Sequence, residues 1–486
     1  MRRSHRNLAL AVIGTLAVSW VLADICRADT IVLKNGRRIV VSNVSRDGGK
    51  VSGDTPSGRL SLPESMVASV ERDGGESLAA AGGSAQAADL KIGPPPTPAA
   101  TNASPEAAAV VHDGALDQVA LDRFDAEASS GSADAIARAV VAESVASQFE
   151  FSHGNFDQAL EHAERALKFS PDQVNVLINV AYLHLQRSEY TAALDSLDRA
   201  RRLAPDSPEV LKLEGWADYG LNRLPQAVAE WKRSLELRPD DELAAALKRA
   251  EQDAKIETNF EEGLSAHFVL RYDGGAAPDL ARSVLGELEN DFGSMVSLLD
   301  YTPAEPIAVI LYTKQDFADI TRAPAWAGAM NDGRIRVPVQ GLLAVTPELA
   351  HVLRHELAHS FVSQKTHGNC AVWLQEGIAQ WAEGAHAGED AALLVDLYNH
   401  HDDPSMPALE KSWMAMPKDF ARVSYEWSLA TVEGIVQSGS QTDIDGLLNA
   451  LAAGSSTEGA VRSVLHMNYA DLNRSTADYL RRTYLH

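Results

Sequence analysis

Apolar positions along the chain change their period from one stretch to the next, and each period predicts a different element. Between Asp29 and Arg72, Thr30-Ile31-Val32-Leu33 and Arg38-Ile39-Val40-Val41 flank Lys34-Asn35-Gly36-Arg37. An Asn-Gly pair between two β-branched runs predicts a hairpin. Short strands near 50–52, 58–62 and 67–71 complete a small β-rich unit over 29–72. From 73 to 134 the periodicity fades into Ala79-Ala80-Ala81-Gly82-Gly83 and Pro94-Pro95-Pro96, which predicts a linker, with short helical patches near 116–124. From 135 to 257 the pattern is helical and recurs every 34 residues: Pro171, Pro205 and Pro239; Ala159, Ala193 and Ala227; Tyr182 and Trp216; Ala166, Ala200 and Ser234. Alanine lets paired helices approach closely and proline ends the second helix of each pair. The second helices are expected over Asp157–Phe169, Thr191–Leu203 and Pro225–Leu237, with a solvating cap helix from Asp241 to Ile256. Beyond 258, strands are expected at His267–Tyr272, Ile307–Tyr312 and Gly333–Pro338, the last led by Trp326 and Gly328, and helices follow.

Composition narrows the picture. The 486 residues carry a formal charge of −24 and are 45% hydrophobic, so the chain has enough apolar mass for several cores and its charge argues against nucleic acid as a partner. Two cysteines exclude a disulfide framework and a thiolate zinc site. Arg2, Arg3 and Arg6 precede an uncharged run from Leu8 to Ala23, and Cys26-Arg27-Ala28 offers small residues at −3 and −1, so residues 1–28 read as a secretory signal. That predicts a periplasmic or secreted protein, with membrane contact only where the segment stays uncleaved. The leader holds four arginines and one aspartate, so its removal takes the formal charge to −27 and leaves Cys370 as the one thiol, which reads as packed.

The chemistry is concentrated in the last third. Thr346-Pro347-Glu348 has the order of an N-cap, a proline at N1 and a first-turn acid. Leu349, Leu353, Leu357 and Phe361 form the apolar stripe of the helix that follows. His355 and His359 are one turn apart on roughly the opposite side, so two imidazoles can bind one ion. Glu356 lies about 100° around the helix from His355, within reach of a water on that ion. A third ligand is available in Glu376, seventeen residues after His359 and beyond the Gly368-Asn369 turn, within Trp373-Leu374-Gln375-Glu376-Gly377-Ile378-Ala379. His351 reads as a surface residue and His367 as solvated. Gln380 lies one turn after Glu376, and Glu383 is the next carboxylate along.

Three resemblances follow from these residues. The 34-residue period resembles the tetratricopeptide repeat, which implies a peptide- or protein-binding concave face. The segment around Leu33-Lys34-Asn35-Gly36 resembles small β-domains at the start of mature exported bacterial proteins. His355-Glu356-Leu357-Ala358-His359 together with Trp373-Leu374-Gln375-Glu376-Gly377-Ile378-Ala379 resembles the gluzincin metallopeptidases, specifically peptidase MA-like domains, over roughly 262–486. The expected fold class is multidomain: a small β-rich N-terminal unit, an all-α tetratricopeptide solenoid, and an α+β gluzincin metallopeptidase domain over 258–486. The gluzincin resemblance implies Zn²⁺ held by His355, His359 and Glu376, with Glu356 as general base. It places the third strand at the sheet edge beside the metal, open to a peptide substrate. Tyr425, in Val423-Ser424-Tyr425-Glu426-Trp427-Ser428, resembles the family's A-Y-x-x-S tyrosine, opens a helix near the site and is a candidate oxyanion donor. The leading functional expectation is an exported zinc peptidase with a recruiting module. The alternative is a repeat scaffold whose peptidase-like domain only binds.

Overall fold

The computed structural model describes residues 28–33, 38–47, 49–55, 58–71, 107, 109–273, 278–312, 329–339, 342–411, 413 and 418–485. The signal segment up to residue 27, the Asn35-Gly36 turn, residues 72–106 of the expected linker, and Trp326 with Gly328 lie outside the described residues.

The chain divides into two compact units, Met1–Gly75 and Glu76–His486. The first contains β1 (Ala28–Leu33), β2 (Arg38–Asp47), β3 (Lys50–Thr55), β4 (Gly58–Pro63) and β5 (Val67–Glu71), in the sheet order β4-β3-β2-β1-β5. β1 and β2 pair antiparallel, with Val32 opposite Arg38, as the two strands of the expected hairpin.

The second unit begins earlier than the 135 boundary expected from composition. A two-stranded ribbon, β6 (Val111–His112) and β7 (Ala115–Leu116), leads into α1 (Gln118–Ala128), and Asp117 caps it by accepting from the Ala120 amide at 2.9 Å. Leu121, Phe124 and Ala128 lie on one helical stripe and pack against Ala139, Ala142 and Ala146 of α2 (Ala133–Ser152). This helix falls on the short helical patch expected near 116–124 and runs four residues further.

The solenoid then continues with α3 (Phe156–Phe169), α4 (Val174–Gln186), α5 (Tyr190–Leu203), α6 (Pro208–Gly220), α7 (Leu224–Leu237) and α8 (Asp241–Ile256). The periodic residues do what their size suggests. Ala159, Ala193 and Ala227 are fully buried where the paired helices cross, and α3, α5 and α7 each end two residues before Pro171, Pro205 or Pro239.

A five-stranded sheet follows, built from β8 (Phe260–Leu264), β9 (Phe268–Asp273), β10 (Ile307–Tyr312), β11 (Met330–Asn331) and β12 (Ile335–Pro338), in the order β11-β12-β10-β9-β8. β10 runs parallel to β9 and β12, whereas β11 and β8 close the two edges antiparallel. The expected third strand is therefore second from the edge. The turn at Asp332-Gly333 folds the chain back, so the short strand Met330–Asn331 takes the outer position.

Both faces of this sheet are covered, which is why all six residues of β10 are buried. Val309, Leu311, Ile335 and Val337 join one core with residues of α9 (Pro278–Leu299) and α10 (Pro347–Lys365). Tyr312, Arg336 of β12 and Arg334 just ahead of it point the other way, into the end of the solenoid. Tyr312 donates to Glu257, just past α8, at 2.7 Å. The helix expected to be a solvating cap keeps an exposed outer face, but its inner side, with Leu243, Ala246, Ala250 and the fully buried Asp253, is covered. Other turns of the solenoid also touch the C-terminal region: Thr191 N donates to Glu305 at 2.8 Å, Phe156 meets His367 edge-on at 5.2 Å, and Gly154 lies so close to Gly454 that a Cβ on it would sit 2.6 Å from the Gly454 Cα. His367 is therefore packed rather than solvated, and burial lowers its pKa.

The chain ends in α11 (Val372–Glu383), α12 (Ala391–His400), α13 (Met406–Leu409), α14 (Lys418–Ser438), α15 (Gln441–Ala452), α16 (Thr457–Val464) and α17 (Tyr469–Tyr484). No described helix is long and apolar enough to cross a membrane.

Candidate metal centre

Helix α10 starts as its sequence dictates. Thr346 Oγ1 accepts from the Leu349 amide at 3.2 Å, and Pro347 occupies the first turn. Leu349, Leu353, Leu357 and Phe361 are fully buried, and this stripe fixes the rotation of the helix against the sheet. The opposite side carries His355 and His359, which are buried too because α11 covers them. His351, one turn earlier, is exposed.

His355, His359 and Glu376 form the one group of three or more metal-ligand side chains found among the described residues. The two Nε2 atoms are 3.1 Å apart, and Glu376 Oε2 lies 3.5 Å from each. A tetrahedral ion with bonds of about 2.0–2.1 Å separates its ligands by roughly 3.3–3.4 Å, so this triangle has the dimensions of a zinc face. The electrostatics agree. Glu376 Oε2 is buried without a hydrogen bond among the described residues, a costly state unless a cation answers it. Burial alone would raise the Glu376 pKa, but the two imidazoles hold it below the ordinary value. Burial works against a charged His355, yet the carboxylates of Glu383 and Glu376 outweigh it and hold the imidazole pKa well above its usual position. The donor set therefore favours positive charge at its centre.

Two further residues complete the arrangement. Glu383, on the last turn of α11, places Oε2 3.2 Å from His355 Nδ1. It supplies the orienting carboxylate whose usual place Gln380 occupies. Gln380 is used elsewhere. Its Nε2 donates to the backbone oxygens of Glu376, at 3.2 Å, and Tyr425, at 3.0 Å, and so pins α11 to α14. The two helices cross closely at Gly377, where a Cβ would lie 2.5 Å from the Ser428 carbonyl oxygen. This crossing carries Tyr425, one turn before Ser428, toward the centre. Tyr425 lies in the second turn of α14 rather than opening it, and its ring meets Trp413 edge-on at 5.0 Å. Burial first, then the charges of Glu376 and Glu356, raise its pKa well above the ordinary phenol value. Glu356 is buried in the same turn of α10. Its backbone oxygen accepts from Asn331 Nδ2 at 2.8 Å, and Ser360 Oγ accepts from the same nitrogen at 2.7 Å, so edge strand β11 is fastened to the motif helix. Asn331 gave no signal in the sequence. Cys370 is packed against the core, and burial raises its thiol pKa well above the ordinary value.

These features define a helix-borne His-His-Glu centre beside a mixed sheet, joined to a helical repeat. Comparison with known proteins agrees. Residues 294–482 match the Peptidase MA superfamily and residues 150–217 the tetratricopeptide repeat. The chain thus carries a tetratricopeptide repeat region followed by a Peptidase MA superfamily domain. Among solved structures it is similar to the first tetratricopeptide domain of Spaghetti (RPAP3) bound to an HSP90 peptide, at 20% identity, covering 24% of this chain and 93% of that one with a TM-score of 0.23. It is also similar to the Arabidopsis OM64 tetratricopeptide domain, at 18% identity, 24% and 95% coverage and a TM-score of 0.23. No curated protein matches the chain.

Proposed function

We propose that the chain is an exported zinc metallopeptidase that hydrolyses peptide bonds, with the repeats recruiting a protein substrate or partner on their concave face. The observation that carries this reading is the buried donor triangle with Glu356 in the same helical turn. His355 and His359 through Nε2, and Glu376 through Oε2, would hold the zinc, which when bound supplies Lewis-acid polarisation of the scissile carbonyl and a lowered water pKa. Glu383 holds the Nδ1–H of His355 and so keeps the Nε2 lone pair directed at the centre. Glu356 takes the proton of the attacking water and passes it to the leaving amine. Tyr425, kept protonated by its raised pKa, donates a hydrogen bond to the developing oxyanion. The outer edge of β11 takes the extended substrate backbone as an added strand. The leading basic-apolar segment is the basis for assigning export, with tethering to a membrane only where that segment is retained.

The test is metal content together with cleavage. Wild type and Glu356→Gln should each hold one zinc per chain, and only wild type should cut members of a denatured-protein library. Zinc-loaded wild type that is as inert as Glu356→Gln would favour the binding scaffold instead.

A further inference from the structure

Arg334, just ahead of β12, and Arg336 within it have no exposed surface, and each is met by groups from the solenoid. Arg334 bonds to Asp253 of α8, donates to Tyr219 of α6 at 2.7 Å and to Asn222 at 2.9 Å, and its guanidinium lies 4.3 Å above the Tyr219 ring. Arg336 donates to Asp253 at 2.8 Å, to the Tyr312 hydroxyl at 2.6 Å, and through Nε to Asp332 at 3.1 Å. Tyr219 and Asp253 are one 34-residue period apart and bond to each other at 3.2 Å, so they are equivalent positions of successive repeats. The bonds form a continuous path. Asp253 holds Arg336, Arg336 holds Asp332 in the β11–β12 turn, and the preceding Asn331 holds the Glu356 carbonyl of the motif helix.

We propose that Asp253, on the last helix of the solenoid, is a positioning residue for edge strand β11, so that the repeats set the strand that receives substrate. The assignment of that strand to substrate rests on the peptidase reading above; the coupling of solenoid to strand does not. Two buried arginines share this carboxylate; without it Arg336 keeps Asp332 at 3.1 Å and Arg334 keeps only the more distant Glu257 at 3.8 Å, so both guanidinium groups lose a direct buried partner. The cheapest relief is movement of the short β11–β12 turn, which Asn331 ties to α10 on its other side.

The experiment uses the zinc-loaded full chain. Asp253→Asn keeps shape and removes charge. Asp240→Asn breaks the Lys212 ion pair and the α8 cap, away from β12, and controls for a weakened solenoid. In Asp253→Asn, amides of 330–338 should exchange at least 10-fold faster while those of 347–365 and the single zinc are retained. With fluorescein-labelled casein as probe, KM should rise at least 5-fold and kcat change less than 3-fold. Unchanged protection of 330–338, or the same pattern from Asp240→Asn, overturns the proposal. Should Asp253→Asn fail to fold, Arg336→Lys takes its place, and the exchange outcomes carry the same meaning. Wild type alone adds a check: 330–338 should open together with 241–256 as urea is raised, and separate opening refutes the coupling. A wild type that binds no zinc or leaves casein intact counts against the peptidase reading, and the exchange data still decide the coupling.

Discussion

Replacing Glu383 tests whether the metal centre depends on a residue outside the His-His-Glu set. Its carboxylate is 3.2 Å from His355 Nδ1, and its side chain is 18% exposed, so the contact is largely shielded. Outer carboxylates of this kind contribute about 10–100-fold to metal affinity, or about 1.4–2.7 kcal/mol. Glu383→Gln keeps an acceptor oxygen and loses the charge, so it should fall near 10-fold. Glu383→Ala loses both and should approach 100-fold. Gln380→Glu should not rescue Glu383→Ala, even though it restores an acid one turn after Glu376. It would remove two donor bonds and bury a carboxylate against the Glu376 and Tyr425 carbonyls. The assay is zinc competition with a chromophoric chelator at fixed pH and ionic strength, with folding checked by circular dichroism. Affinity of Glu383→Ala within twofold of wild type would refute the reasoning.

Three other outcomes follow from the same geometry. Gly377→Ala forces a methyl to 2.5 Å from the Ser428 oxygen and 2.7 Å from Val432 Cγ2; it should cost about 1–3 kcal/mol in urea unfolding and weaken zinc binding. Glu426 has its pKa raised to about 7, first by burial and then by Asp390, so stability should fall as pH rises from about 4.5 to 7 while the unfolded chain ionises first. Glu426→Gln should therefore unfold later than wild type at pH 8, by on the order of 1–2 kcal/mol after discounting its partial exposure, and match it at pH 4. Deleting residues 29–134 removes Leu121 and Phe124 from beside Ala139 and should lower the melting temperature of the rest by several degrees in calorimetry.

Much of the architecture is readable because it depends on local or periodic signals. The Pro171–Pro205–Pro239 spacing marks the repeat, Thr346-Pro347 marks the start of the motif helix, and His355, His359 and Glu376 have spacings that bring them together. What escapes depends on contacts distant in sequence. Nothing near Asp253 announces that two arginines more than 80 residues away will be its partners. Without them, α8 reads as an amphipathic end helix. β11 gives no pattern because two residues are too few to show alternation. The distinct uses of Gln380 and Glu383 depend on how far around α11 each lies when α14 is packed against it, which spacing alone does not fix.

The attachment of α8 to the sheet through Asp253 gives the repeat array a direction of growth. An isolated solenoid can lengthen at either end, because each new unit needs only its neighbour. Here the downstream end is already spent as a roof, and the turns at Gly154 and Thr191 are each matched to a fixed station on the other half of the unit. Inserting a 34-residue module between α3 and α8 would slide these stations out of step, and adding one after α8 would lift the roof. Homologous or engineered chains that keep this arrangement should vary their repeat number upstream of α2 only.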